Sequence, residues 1–253
     1  MSGRDAFALA STAGPAASFV SLLGLHPMTH YLKNCLAGLL LLASCAEPPA
    51  EAQQTTVPPA VRSTAGAAPA DEPGLAVATF AGGCFWCTEE VFEEVRGVRA
   101  VVSGYSGGPE AAPTYEQVGR GETGHAEAIE VHYDPKQVTF ATLVDVFFRA
   151  AHDPTTPNRQ GPDAGAQYRS VAFYRTAAEK KIIDDAIARV NASRQYASPV
   201  VTPVVAFERF WPAEGYHQGY YRLHPESEYV QRVSTPKVEA FRRKFPKLLK
   251  SPL

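Results

Sequence analysis

Two adjacent glycines stand at the point where one backbone periodicity gives way to another. The short apolar run "LAVATF" ends in Gly82-Gly83, and after "CFWC" the residues Thr88 to Val95 place Val91, Phe92 and Val95 at helical spacing, with acidic residues in the first turn. A strand is therefore expected to turn sharply into a helix at the two cysteines. "VRAVVSGY" predicts a second strand, and "EAIEVHY" alternates Ile129, Val131 and Tyr133 against polar neighbours, as a strand with one buried face does. Phe140, Leu143, Val144, Phe147 and Phe148 mark a helix, and "SVAFY" is a short buried strand. Thr176 with Glu179 is a capping-box signature for a helix continuing to about Arg194. "VVTPVVAF" follows as an edge strand because of Pro203. This order predicts an α+β two-layer sandwich around a mixed sheet, on the ferredoxin-like or split-βαβ plan. Long loops are expected at Gly104 to Thr123, at His152 to Arg169 and after Phe210, and loops of such length in a compact domain usually carry function.

Composition adds the frame. With 253 residues, 45% hydrophobic and 20% charged, the chain suits one medium domain with additions. A formal net charge of −2 and the lack of any block of five basic residues argue against nucleic-acid binding. From Met28 the chain runs "MTHYLKNCLAGLLLLASCAEPPA", an apolar segment too short to span a bilayer that ends in small residues, as a secretory signal does. The tetrapeptide Leu42-Ala43-Ser44-Cys45 resembles the lipobox of bacterial lipoproteins, which implies lipid on Cys45 and an extracytoplasmic, periplasm-facing protein held to the membrane by that anchor alone. Residues 1–44 are then an N-terminal extension plus signal, with Met28 the expected start. Residues 45–74 are rich in Ala, Pro and Thr and form a disordered tether. Residues 75–253 form the folded domain, expected to be a monomer.

The cysteines of "GGCFWC" carry the chemistry. Cys84 sits at the predicted start of a helix, whose free N–H groups and dipole favour a thiolate, and Gly83 lets backbone approach a substrate. Cys87 follows on the same helical face, within reach of Cys84 if the first turn relaxes. A zinc half-site lacks a second ligand pair, because no cysteine follows Cys87 and the later histidines form no tight pair. A structural disulfide would close too small a loop to stabilise much. A thioredoxin-type dithiol usually holds Gly-Pro between its cysteines, whereas Phe85 and Trp86 suggest an apolar wall beside a nucleophile.

"GCFWC" resembles the active-site motif of the peptide methionine sulfoxide reductase A family, and "SGYSGG", "PTYEQV", "TGHAEAIEVHYDP", "HDPTTPNRQGPDAGAQYRS" and "AEGYHQGYY" follow in the family's order over nearly all of Leu75 to His224. The resemblance implies reduction of the S epimer of methionine sulfoxide, free or in proteins, as a repair of oxidised proteins. Cys84 becomes the nucleophile, Phe85 and Trp86 the pocket for the methyl group, and Glu127 the acid. Tyr115 and Tyr168 hydrogen-bond the sulfoxide oxygen, and Asp163 lies near the site. His125, Glu214, His217 and Gln218 are expected to support it. Pro162 stands where the family has an Asn. Tyr229 to Leu253 carries no cysteine and looks like an ordinary helix ending in basic residues, so resolution of the Cys84 sulfenic acid falls to Cys87, with reduction from outside by a thioredoxin-like protein and no cofactor. The chemistry asks for the same groups: a soft nucleophile for sulfur, and a carboxylic acid kept neutral by burial to protonate the oxygen. Two other functions fit a CxxC chain, a general dithiol–disulfide oxidoreductase and a non-catalytic binding lipoprotein.

Overall fold

The apolar run after Gly74 forms strand β1 (Ala76–Gly82), and the chain reverses through Gly83 into helix α1 (Phe85–Glu93) in a computed structural model that describes residues 73–250. The expected start at Met28, the signal segment, Cys45 and nearly all of the tether lie outside the described residues. Strand β2 (Val98–Ser106) follows, then a loop carrying the short helix α2 (Tyr115–Gly119). Strand β3 (Ala126–Tyr133) lies between β1 and β2, antiparallel to both. Helix α3 (Phe140–Val146) widens into a π turn over Phe147–Ala151. A small hairpin, β4 (Arg159–Gln160) and β5 (Asp163–Ala164), precedes β6 (Ser170–Tyr174), which pairs with the free side of β1. Helix α4 (Ala177–Ser193), the edge strands β7 (Val204–Ala206) and β8 (Phe210–Pro212), helix α5 (Tyr220–Leu223), a π turn at Val230–Ser234 and helix α6 (Thr235–Lys244) complete the order.

The six strands run β7-β6-β1-β3-β2-β8, and only β6 and β7 pair in parallel. The inner four interleave two split βαβ units: β1-α1-β2 brackets β3, and β3-α3-β6 brackets β1. This is the mixed α+β sandwich expected from the order of elements. Its main core lies between the sheet and the helices, where the Phe80 ring stacks on Phe92, Phe140 and Phe147 at centroid distances of 5.5, 6.3 and 4.7 Å. The opposite face carries a small cluster of Ala81, Ala126, Ala128, Val171 and Phe173, against which Phe207 and Phe210 pack. Alternation along β3 puts Ala126 and Ala128 on that thin face and Glu127 on the helix-covered one, in line with Ile129, Val131 and Tyr133.

Several boundaries differ from expectation for local reasons. Helix α1 begins at Phe85 rather than Thr88, so Glu89 and Glu90 fall past its first turn and are buried. Glu89 accepts from the Ser103 hydroxyl at 3.0 Å and from the Gly219 N–H at 2.9 Å. The expected capping box at Thr176 is half made, because the Glu179 carboxylate takes the Arg175 N–H instead. The complete reciprocal box is at Thr114 and Gln117, opening α2. The stretch after Phe210 begins as strand β8, and the segment from Tyr229 enters a π turn before it becomes the expected helix.

Candidate active site

Gly83 makes the turn between β1 and α1 possible. Its φ is +83°, and a Cβ there would run into the side chain of Gln160, itself fixed by bonds to the backbone of Asp153. The turn delivers Cys84 as the residue before the first helical turn, with Cys87 and Thr88 donating their N–H groups to its carbonyl. The next free N–H, that of Phe85, donates to Glu127 Oε2 at 3.0 Å. A carboxyl from the neighbouring strand thus occupies the helix start that was expected to ionise Cys84.

Cys84, Phe85, Trp86, Tyr115, Glu127, Asp163, Tyr168 and Tyr229 line one cleft of about 130 Å³. Seven of these were expected at the site from the sequence; Tyr229 was not. Phe85 is fully buried, with its ring 5.9 Å from Tyr105 and 6.4 Å from Tyr115. Half-buried Trp86 stacks on Tyr220 at 3.7 Å, meets the Tyr229 ring edge-on at 5.6 Å and donates its indole N–H to His217 Nδ1 at 3.2 Å. Glu214 accepts from the Tyr115 N–H and the Tyr105 hydroxyl, both at 2.9 Å, so the residues after β8 hold α2 over the cleft. His217 packs 4.2 Å from the Tyr115 ring, and Gln218 bonds both polar backbone groups of Ser103.

His125 is buried but lies outside the cleft: its ring nitrogens meet the Gly108 N–H and the Glu110 carbonyl, tying down the loop that carries Tyr115. Asp163 still reaches the cleft beside Pro162, and its Oδ2 accepts from the Tyr229 hydroxyl at 2.6 Å. Tyr229 carried no motif, and only the packing of the C-terminal π turn brings it there. Ser234, at the end of that turn, is fully buried 3.1 Å from Cys87 Sγ, and nothing in its sequence context marked it.

The electrostatics follow from burial. Glu127 is pushed up to about 8 by desolvation, against the pull of the Phe85 N–H, so it is a neutral acid at pH 7 with Oε2 committed as an acceptor. Burial likewise raises Tyr115 to about 12, with Glu127 and Cys84 adding to the rise, and raises Tyr168 further; both keep their hydroxyl protons. Cys84 and Cys87 are both free thiols. Burial pushes the Cys84 thiol well up, reinforced by Cys87 and Glu127, while Tyr229 draws it back. Cys87 is lowered to about 7 by its hydrogen bond with Cys84, with Lys237 and Ser234 adding to the effect. The more acidic member of the pair is therefore Cys87. No cluster of three or more His, Cys, Asp or Glu suited to a metal occurs among the described residues.

An aromatic cleft holding a buried thiol opposite a neutral carboxyl and two hydroxyl donors suits attack on a polarised sulfur–oxygen bond. Residues 76–249 match the family described as peptide methionine sulfoxide reductase. The chain is 45% identical over 177 residues to the peptide methionine sulfoxide reductase MsrA of Polynucleobacter asymbioticus, covering 70% of this chain and 93% of that one. It is 48% identical over 172 residues to the enzyme of the same name from Sulfolobus acidocaldarius, covering 68% and 96%. Among solved structures it is similar to Mxr1 of Saccharomyces cerevisiae in reduced form, at 33% identity and a TM-score of 0.56 over 62% of this chain and 90% of that one. Methionine sulfoxide reductase A of Corynebacterium diphtheriae gives 32% identity and a TM-score of 0.55 over 62% and 78%. The chain belongs to the peptide methionine sulfoxide reductase family.

Proposed function

We propose that Cys84 is the nucleophile and Glu127 the proton donor of this chain, which as a family member is a thiol-dependent peptide methionine sulfoxide reductase. The observation that carries the assignment is the Phe85 N–H bond to Glu127 Oε2, which fixes a protonated carboxyl beside Cys84. Phe85 and Trp86 receive the substrate methyl group, Tyr115 and Tyr168 hold the sulfoxide oxygen, and Asp163 with Tyr229 orients the bound residue. As Cys84 sulfur attacks the substrate sulfur, Glu127 protonates the oxygen and the Cys84 proton makes good the loss. The hydroxyl so formed passes from the substrate sulfur to the Cys84 sulfur as the transient sulfur–sulfur bond breaks, leaving a sulfenic acid on Cys84 and methionine with two more electrons. The substrate is the S epimer, free or in oxidised proteins.

Cys87 then condenses with the sulfenic acid to give a Cys84–Cys87 disulfide and water. A thioredoxin-like dithiol reduces this disulfide and is itself oxidised. The chain acts as a monomer, lipid-anchored through Cys45 on the periplasmic side of a bacterial membrane, with translation starting at Met28. Support for the anchor is the sequence Leu42-Ala43-Ser44-Cys45 followed by a Pro-rich tether. Among the described residues no helix is long and apolar enough to cross a membrane.

Reduction of methionine sulfoxide by dithiothreitol tests the assignment. Glu127→Gln is expected to lose activity while both thiols still react with a thiol reagent. Full activity in that variant would remove Glu127 as the proton donor, and thiol exchange without sulfoxide reduction in the wild type would favour a general dithiol oxidoreductase instead. The mass of the mature N-terminus tests the anchor: an acylated Cys45 is expected, and residues derived from Met1 in the exported protein would refute it.

A further inference from the structure

The reading of Cys87 as the resolving thiol leaves open what prepares that sulfur to attack. Cys87 is fully buried on α1, against the face of the C-terminal helix, which packs on α1. From that helix Ser234 Oγ lies 3.1 Å from Cys87 Sγ. Lys237 is three residues further on, on the same helical face, and its Nζ is buried without a hydrogen-bond partner. An ammonium withdrawn from water with no acceptor is costly and rarely kept without purpose.

The groups around Lys237 narrow that purpose. Its charge is felt by Cys87 and by His152. His152 is no counter-ion: burial holds its ring down to about 3 and neutral, and its nitrogens are taken by the Phe147 carbonyl and the Ser170 hydroxyl. Cys87, by contrast, can become an anion. The titratable and charged groups that act on Cys87 or respond to it are Cys84 just before α1, Glu127 on β3, Asp163 on β5, Tyr229 before the π turn and Lys237 on α6. Of these Lys237 is the one cation, and Asp163 opposes it.

We propose that Lys237 is a positioning residue for the recycling half of the reaction, its buried ammonium supplying the counter-charge, and Ser234 the hydrogen bond, that hold Cys87 as a thiolate. The Cys87 thiolate attacks the Cys84 sulfur of the sulfenic acid. The sulfur–sulfur bond forms as the sulfur–oxygen bond breaks, and hydroxide leaves to become water. Cys87 sulfur is oxidised and Cys84 sulfur reduced. The same counter-charge makes Cys87 the better leaving group when an external thiolate attacks Cys84 in the disulfide. This inference rests on Cys87 being the resolving thiol.

The test is a single turnover on methionine sulfoxide without reductant, quenched over time at pH 6 to 9, with sulfenic acid trapped by dimedone and the Cys84–Cys87 peptide weighed. Lys237→Met is expected to form the disulfide about tenfold or more slowly at pH 7, to accumulate trapped sulfenic acid, and to approach the wild type near pH 9, where Cys87 ionises unaided. Lys237→Arg should restore most of the rate. Wild-type disulfide formation in Lys237→Met at every pH would overturn the inference while leaving Cys87 as the resolving thiol. A wild type that forms no Cys84–Cys87 disulfide would overturn that reading, and the inference with it. Should Lys237→Met fail to fold, thiolate absorbance at 240 nm decides, taken as the difference between wild type and Cys87→Ser. A Cys87 midpoint lower than that of Lys237→Gln, taken in the same way, supports the inference, and equal midpoints overturn it.

Discussion

The hydroxyl of Tyr229 donates to Asp163 Oδ2 at 2.6 Å and so joins the C-terminal segment to the β4–β5 hairpin at the cleft. This bond fixes the Asp163 carboxylate, and Tyr229 also sets its ring edge against Trp86. Tyr229→Phe keeps the ring contact and removes the hydroxyl, with it the bond to Asp163 and its pull on the Cys84 thiol. KM for a methionine sulfoxide peptide is expected to rise about five- to tenfold, equivalent to about 1 kcal/mol, with a smaller change in kcat. An unchanged KM would place Asp163 outside substrate binding.

Glu127 sets the alkaline limit of the reaction. Its carboxyl is neutral until pH approaches about 8, so kcat/KM for the chemical step should fall as pH rises through that value. Glu127→Gln keeps the acceptor for the Phe85 N–H and removes the proton, and a loss of about 10²- to 10⁴-fold is expected. The rate of methionine release in a single turnover across pH 6 to 9 measures both effects.

Stability should pass through a maximum in mildly acidic solution. Desolvation raises Glu89 to about 8, Glu90 to about 7 and Glu127 to about 8, so the folded chain binds protons that the unfolded chain has lost. Their contribution is fully present below about pH 4.5 and declines as pH rises toward 8. His152, lowered to about 3 by burial, has the opposite sign: its contribution is present above about pH 6.5 and is lost as pH falls toward 3. Three carboxyls outweigh one histidine as soon as they ionise in the unfolded chain, so thermal unfolding monitored from pH 3 to 9 should show the highest Tm at about pH 4 to 5. Glu89→Gln should flatten the alkaline limb.

Gly104 marks the seam between β2 and β8. A Cβ there would run into the Trp211 carbonyl and the Phe210 ring, so Gly104→Ala has to push β8 away from the sheet. A cost of about 1–3 kcal/mol is expected, lowering Tm by about 5 °C, with activity falling because Glu214 and His217 follow β8 directly. A variant with normal Tm and activity would show that β8 does not position these residues.

The elements that follow one periodicity were legible in the sequence: alternation along β3, the apolar run of β1 and the helical spacing in α3 each gave the observed element, and the Thr176 cap signal gave α4. The cleft residues carried by motifs were legible too, since seven of the eight lining side chains fall within them. What escaped depends on packing between distant segments. β8 is only three residues long and exists because β2 offers it an edge. Tyr229, Ser234 and Lys237 share a segment whose local pattern is that of any amphipathic helix, and the π turn that aims two of them has no sequence signal. The ionisation of Cys84 departs from expectation chiefly because burial raises its thiol, which no local pattern shows, and the N–H expected to favour its thiolate is taken by Glu127, a residue 42 positions away.

The two outermost strands of the sheet, β7 and β8, are three residues each, the first following Pro203 and the second ending in Pro212. Proline has no N–H to offer a neighbour, and so short an edge presents few open backbone groups. The sheet is thereby blunted against pairing edge to edge with another copy. For chains at high local concentration, that protects against aggregation without any change at the catalytic cleft.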